Sequence, residues 1–201
     1  MKMDDTQLGE ELTYTHFDRM SERCPDRPAV IYLGERFSYV RLRDLSERFA
    51  GALSDMGVGK GDRVMIYIPN CVQWFITFLA VQKIGAVIVP VSPIYTSFEI
   101  EYMINDSGAE TIICQDTNFC YVKDVIDKTV LKRAIVTNLV DLLPFWKRGL
   151  GVLFDKLPRG KVSGYERVVP FVKLLSHAPI DSPTHVDPWK DLSYILYTGG
   201  T

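Results

Sequence analysis

Arg63-Val64-Met65-Ile66-Tyr67-Ile68-Pro69-Asn70 opens the stretch that decides the fold, RVMIYIPNCVQWFITFLAVQKIGAVIVPV over residues 63–91. Arg63 to Ile68 is a short apolar run closed by a proline, which predicts a strand. Asn70 is a good N-cap for the helix predicted over Cys71 to Ile84. Trp74, Phe75, Ile76, Phe78, Leu79 and Val81 make that helix apolar nearly all round, so it is expected to be buried. Gly85 ends it, and the β-branched run Ala86 to Val91 follows as a second strand. A strand, a crossover helix and another apolar strand predict a parallel pair.

The same rhythm runs outward on both sides. Ala29 to Leu33 and Arg36 to Tyr39 suggest a hairpin turning at Gly34-Glu35. Leu42, Leu45, Phe49, Leu53 and Met56 recur at spacings of three and four, a helix stopped by Gly57. Beyond residue 91, Thr96-Ser97-Phe98-Glu99 has capping-box spacing and opens a helix that stops at Gly108. Glu110 to Cys114 predicts a strand, Asn118 to Lys128 a helix and Arg133 to Thr137 a strand. The expectation is an α/β fold, a mostly parallel sheet with helices on both faces. Residues 139–188 break the rhythm. Six prolines, Pro144, Pro158, Pro170, Pro179, Pro183 and Pro188, mark this stretch as an irregular excursion. Leu192 to Tyr197 then reads as a buried strand returning to the core.

Composition narrows the function. Of 201 residues, 47% are hydrophobic and 24% charged, ordinary for a globular chain, and the net charge of −2 gives no electrostatic case for nucleic acid. Residues 1–20 are polar and acidic, unlike a secretory signal, and no apolar run is long enough to span a bilayer. Cys24, Cys71, Cys114 and Cys120 form no C-x-x-C pair and read as reduced thiols in a cytoplasmic protein. His16, His177 and His185 share no ligand spacing, so no metal site is expected. Gly57-Val58-Gly59-Lys60-Gly61-Asp62 imitates a nucleotide fingerprint but follows a helix and precedes a strand, the reverse of the required order. It reads as a cap and tight turn. No G-x-S-x-G elbow is present, and no catalytic residue is assigned.

Two segments remain. Phe145 to Lys161 carries Lys147, Arg148, Lys156, Arg159 and Lys161 against the single acid Asp155, interleaved with Trp146, Phe154 and leucines. Such composition suits contact with an anionic membrane surface, or an insertion packed on its own domain. The other segment is the end, Tyr197-Thr198-Gly199-Gly200-Thr201. Small hydroxyl residues around paired glycines after a strand suit a phosphate-wrapping loop, because glycine lets backbone N–H groups approach the anion. Thr198, Gly199, Gly200 and Thr201 are the candidate nucleotide-binding residues, and the chain is expected to stop inside that loop.

Taken in order, these landmarks resemble the N-terminal part of the AMP-forming acyl-CoA synthetase family, the adenylating enzymes that include luciferase. The matching pieces are Arg36-Phe37-Ser38-Tyr39, Gly57-Val58 with Gly61-Asp62-Arg63-Val64, and Pro69-Asn70. They continue through Gly85-Ala86-Val87, Val89-Pro90-Val91, Pro93 with Tyr95, Asp106-Ser107-Gly108-Ala109, and Tyr197 to Thr201. Gly199, where many relatives have serine, and Asp141-Leu142-Leu143-Pro144-Phe145 point to the long-chain fatty acyl branch. Ser92 departs from a frequent asparagine at one turn.

The resemblance implies a large domain of α/β/α layers, of which residues 1–201 are part, and a small mobile C-terminal domain. It implies ATP, magnesium and coenzyme A as cofactors and cosubstrates, and a fatty acid as substrate. The carboxylate would attack the α-phosphate to give acyl-adenylate, and the coenzyme A thiol would then displace AMP. The loop's later glycine and lysine, the ribose-binding acid and the C-terminal lysine of that family have no counterpart here. The chain alone is therefore expected to be inactive, with a non-catalytic folded or assembly module as the alternative. Apolar surface left uncovered would favour association, so a homo-oligomer stays open.

Overall fold

Apolar runs of four or five residues become strands when both of their faces can be covered, and here helices cover both. The computed structural model describes residues 11–144, 147, 160–162 and 164–198. Helix α1 (Thr13–Arg23) precedes a hairpin of β1 (Pro28–Tyr32) and β2 (Glu35–Ser38), and α2 (Tyr39–Asp55) follows. Then come β3 (Arg63–Tyr67), α3 (Val72–Lys83), β4 (Val87–Pro90), α4 (Ser97–Ser107) and β5 (Thr111–Gln115). A 3-10 turn leads into α5 (Phe119–Val125), followed by β6 (Arg133–Thr137), β7 (Val168–Pro170) and α6 (Phe171–Leu174). The main sheet has the order β4-β3-β5-β6-β7, and every neighbouring pair is parallel.

Alternation along β3 shows how the layers form. Val64 and Ile66 face one side with Ile88, Ile113 and Ile135, against Leu42, Phe49 and Leu53 of α2 and Ile76 and Ala80 of α3. Met65 and Tyr67 face the other side with Val89, Ile112 and Cys114, against Ile100 and Ile104 of α4 and Val122 and Val125 of α5. Two-sided burial is why these strands read as unbroken apolar runs. The capping box forms as expected, with Thr96 and Glu99 exchanging bonds at the start of α4. Gly108 caps the other end at φ 67°, where the Arg63 guanidinium donates to the carbonyls of Ser107 and Gly108, each at 2.9 Å.

Several local expectations shift. The hairpin turns at Leu33-Gly34, one residue early, with φ of 48° and 71°. Positive φ at both central residues is what the strand twist requires of a two-residue turn. Cys71, extended at φ −146°, is the N-cap of α3 in place of Asn70, and no side chain caps that end. Helix α3 is not covered all round, because Phe75 is 41% exposed on its outer side. The helix expected over 118–128 ends at Val125.

The stretch 139–188 is less detached than expected. Val168–Pro170 pairs with Ala134–Val136 as the edge strand β7, and Phe171 beside it is fully buried against Phe49. The run 192–197 differs more. Its contact with the sheet is one bridge, in which the Ile88 amide donates to Ser193 and the Ile195 amide donates to Ile88, both at 2.9 Å. Leu192 and Leu196 are 58% and 69% exposed. Tyr194, Ile195 and Tyr197 of the same segment pack against the two cores, and among the described residues no strand lies on its outer side.

Candidate functional site

Open parallel sheets bind ligands beyond the carboxyl ends of their strands, at the point where strand order reverses. Here the chain runs from β3 outward to β4 and returns to β5 on the other side. The carboxyl edge therefore presents Tyr67, Gln115, Thr137 and the residues that follow them.

At the β3–β5 gap the edge is closed by the protein itself. The Tyr67 hydroxyl donates to the Tyr95 carbonyl. Burial pushes the Tyr67 phenol up to about 12, so it stays a neutral donor. The Asn118 amide nitrogen donates to the Pro93 carbonyl at 2.6 Å, pinning the 91–95 loop over the gap.

Beyond β5 and β6 lies a polar cluster that sequence reasoning missed. Asp116 accepts from the Thr117 amide at 2.9 Å, the Asn138 side chain at 2.9 Å and the Gly160 amide at 3.1 Å. Asp141 accepts from the Thr137 hydroxyl at 3.1 Å and the Asn138 amide at 2.8 Å. Gln73 of α3 donates to the Thr137 hydroxyl at 3.2 Å and the Asn138 carbonyl at 2.9 Å. These carboxylates are tied to internal donors, which suits them to hold loops rather than to move protons. An acid just after each of two strands was the available signal, Asp116 after β5 and Asp141 after β6.

Of the four predicted nucleotide-binding residues the structure places one. Residues 193–195 bridge Ile88 of β4 in parallel, and exposed Thr198 follows three residues on. Its base is fixed, since the Tyr197 hydroxyl donates to the Asp106 carboxylate of α4 at 2.7 Å. Burial, then the Asp106 carboxylate, push the Tyr197 phenol up to about 12, which keeps the proton in that bond. Gly199, Gly200 and Thr201 lie outside the described residues. So does most of the basic segment 145–161. Lys147 of that segment is described, and its ammonium meets the Glu35 carboxylate at 3.2 Å, packed on the hairpin.

His177 pairs with Asp55 at 3.0 Å and His16 with Glu11 at 3.0 Å. All four cysteines are free, with Cys71 and Cys114 buried. Among the described residues no group of three His, Cys, Asp or Glu could hold a metal ion, and no helix is long and apolar enough to cross a membrane.

Comparison with known proteins agrees with this fold. A long-chain-fatty-acid–CoA ligase of Escherichia coli O157:H7 is 32% identical over 197 residues, covering 92% of this chain and 34% of that protein. A ligase of the same name from Bacillus subtilis is 28% identical, covering 89% of this chain and 32% of its own length. The crystal structure of a long-chain-fatty-acid-CoA ligase from Archaeoglobus fulgidus superposes with a TM-score of 0.72 at 25% identity, covering 94% of this chain and 34% of that one. An anthranilate CoA ligase in complex with anthranoyl-AMP shares the fold, with a TM-score of 0.78 at 16% identity, covering 98% of this chain and 34% of that one. The chain thus spans about a third of the length of the relatives it matches. The model of the AMP-binding enzyme family matches residues 17–201, the parallel sheet and its carboxyl edge included, and the chain belongs to that family.

Proposed function

We propose that this chain forms part of an ATP-dependent long-chain fatty acid CoA ligase, residues 1–201 being the N-terminal part of its large nucleotide-binding domain. In that reaction a fatty acid carboxylate attacks the α-phosphate of ATP, giving acyl-adenylate and pyrophosphate. The thiol of coenzyme A then displaces AMP to give the thioester. The observation that carries the reading is the position of Thr198. It follows by three residues the segment bridged to β4, in a chain 32% identical to a long-chain ligase.

The chain's own part is to hold phosphate. The Thr198 and Thr201 hydroxyls, with the backbone N–H groups of Gly199 and Gly200, would donate to the β- and γ-phosphates. Donors fixed in advance need no reorganisation as charge builds on the leaving pyrophosphate. Tyr197 is a positioning residue, because its bond to Asp106 anchors the loop to α4. Magnesium would arrive with the nucleotide. The described residues assemble no group of acids or histidines for it, and no step here depends on a resident ion. A cytoplasmic location belongs to the same proposal, with segment 145–161 either packed on its own domain, as Lys147 is on the hairpin, or in peripheral contact with a membrane.

Trapping of acyl-adenylate as the hydroxamate, with palmitate and Mg-ATP, tests it. The 201-residue chain should give no signal above background, and measurable turnover would overturn the claim that it is inactive alone. A longer protein containing this chain should make long-chain acyl-CoA, and Thr198→Ala there should lower kcat/KM for ATP. Acceptance of acetate or an aromatic acid alone would remove the long-chain assignment.

A further inference from the structure

The amino end of the sheet holds an unassigned cavity. The amino ends of β3, β5 and β6 and the loop after α2 enclose about 190 Å³, lined by Asp62, Arg63, Gly108, Glu110, Thr111 and Arg133 among others. Thr111 and Arg133 are directly opposite in the parallel β5–β6 ladder, so their side chains leave the sheet on the same face.

Among the described residues both side chains lack partners. Arg133 Nη1 is buried and accepted by nothing, and among the described residues the guanidinium makes no hydrogen bond or ion pair. Thr111 is 2% exposed, and its hydroxyl makes no hydrogen bond among the described residues. Arg133 is half-buried, and leaving its buried Nη1 donors without an acceptor is unfavourable, so such a group marks a place where something else binds. The acids at the rim are already engaged. Asp62 accepts from the Gly59 amide at 2.8 Å, and Glu110 pairs with Lys132 at 2.7 Å. Arg63 uses Nε and Nη2 to cap α4 and donates from Nη1 to the Gly61 carbonyl at 3.2 Å, so it adds positive potential to the cavity with donors on all three nitrogens committed.

We propose that this cavity is a binding site for a small tetrahedral oxyanion, inorganic phosphate or a phosphate monoester. The Arg133 guanidinium would bind it through paired N–H groups, the Thr111 hydroxyl would donate beside them, and Arg63 would supply further positive charge. Planar guanidinium donors match the oxygen spacing of phosphate, which an ammonium does not. The site is separate from the proposed nucleotide loop and does not depend on that reading.

The test is a titration of the ¹⁵N-labelled 201-residue chain with sodium phosphate, against sodium chloride at matched ionic strength. The Arg133 Nε–H and Thr111 amide resonances should shift saturably, with millimolar affinity, under phosphate and not under chloride. Arg133→Gln should abolish the response, and Thr111→Val should weaken affinity several-fold. A parallel titration with glycerol phosphate identifies the source. Saturation by inorganic phosphate alone means an enclosed site for the free ion, and saturation by both means a site open to an ester. A non-saturating response, one equal to that of chloride, or one centred on Thr198 would overturn the proposal, and would leave the cavity to water. Should Arg133→Gln fail to fold, the wild-type titration still decides the question.

Discussion

Lys83→Met is the perturbation that most directly tests how the first three helices are held. Lys83 lies in the last turn of α3 with its side chain 1% exposed. Its ammonium meets both Asp18 oxygens of α1 at 2.8 Å and Glu47 of α2 at 2.9 Å, and lies 5.8 Å from the centre of the Tyr14 ring. Methionine keeps the volume and removes the charge. Removing one partner of a buried pair costs about 3–5 kcal/mol. The low end applies here. Arg43 stays on Glu47 at 2.9 Å and 3.7 Å from Asp18, and those carboxylates are 24% and 18% exposed. A loss of about 3 kcal/mol lowers the melting temperature by roughly 6–12 °C in a chain of this size.

The pH dependence gives the sharper check. Burial opposes ionisation of Glu47, but hydrogen bonds from Arg43 and Lys83 outweigh it and hold the carboxyl below its ordinary value. A depressed carboxylate stabilises the fold at neutral pH, and that contribution is lost as pH falls below about 4.3 through the folded value. In Lys83→Met the burial remains and one cation is gone, so the folded value rises. Protonation then relieves the mutant. The gap between mutant and wild type, from urea unfolding at several pH values, should narrow between pH 7 and pH 4. A loss no larger than the ~1 kcal/mol of an exposed ion pair, or a gap that does not change with pH, would refute the reasoning.

Two further outcomes follow from burial. Phe171→Ala, which empties a fully buried ring site 4.5 Å from the Phe49 ring, should cost about 3–5 kcal/mol in denaturant unfolding, and a near-neutral result would show that β7 and α6 are not part of the core. Thiol labelling at mildly alkaline pH should reach exposed Cys120 and half-buried Cys24 in the native chain. It should spare Cys71, pushed up to about 11 by burial, and Cys114, pushed higher still, until urea is added. Native labelling of Cys114 at the rate of Cys120 would contradict the packing of β5.

Much of the architecture was legible because it is written in local signals. The 63–91 stretch reads correctly as strand, helix and strand, and the Thr96–Glu99 capping box and the Gly108 stop are where residue spacing puts them. The errors sit where local rules compete. Asn70 and Cys71 are adjacent candidates for one cap, and Gly34 fits more than one turn register. Strand β7 was invisible because Val168–Pro170 is too short for any period to show, and it exists through its pairing with β6. The candidate nucleotide-binding residues were read as a motif, Thr198 to Thr201, of which only Thr198 is described. The polar cluster around Asp116 and Asp141 was not, since its members come from α3, two strand ends and residue 160.

The sequence by itself determined which segments are strands and helices, that both sheet faces would be covered, and that the resembled family is adenylate-forming. The elements depend on residues within a turn or two of one another, and the resemblance on the order of short motifs along the chain. Tertiary structure alone decided the order β4-β3-β5-β6-β7, the burial of Lys83 between two acids from other helices, the exposure of Leu192 and Leu196, and the meeting of Thr111 with Arg133. Each depends on which distant segment lies alongside, and the free energy of burying or stranding a charge is set by that neighbour rather than by the residues next to it in the chain.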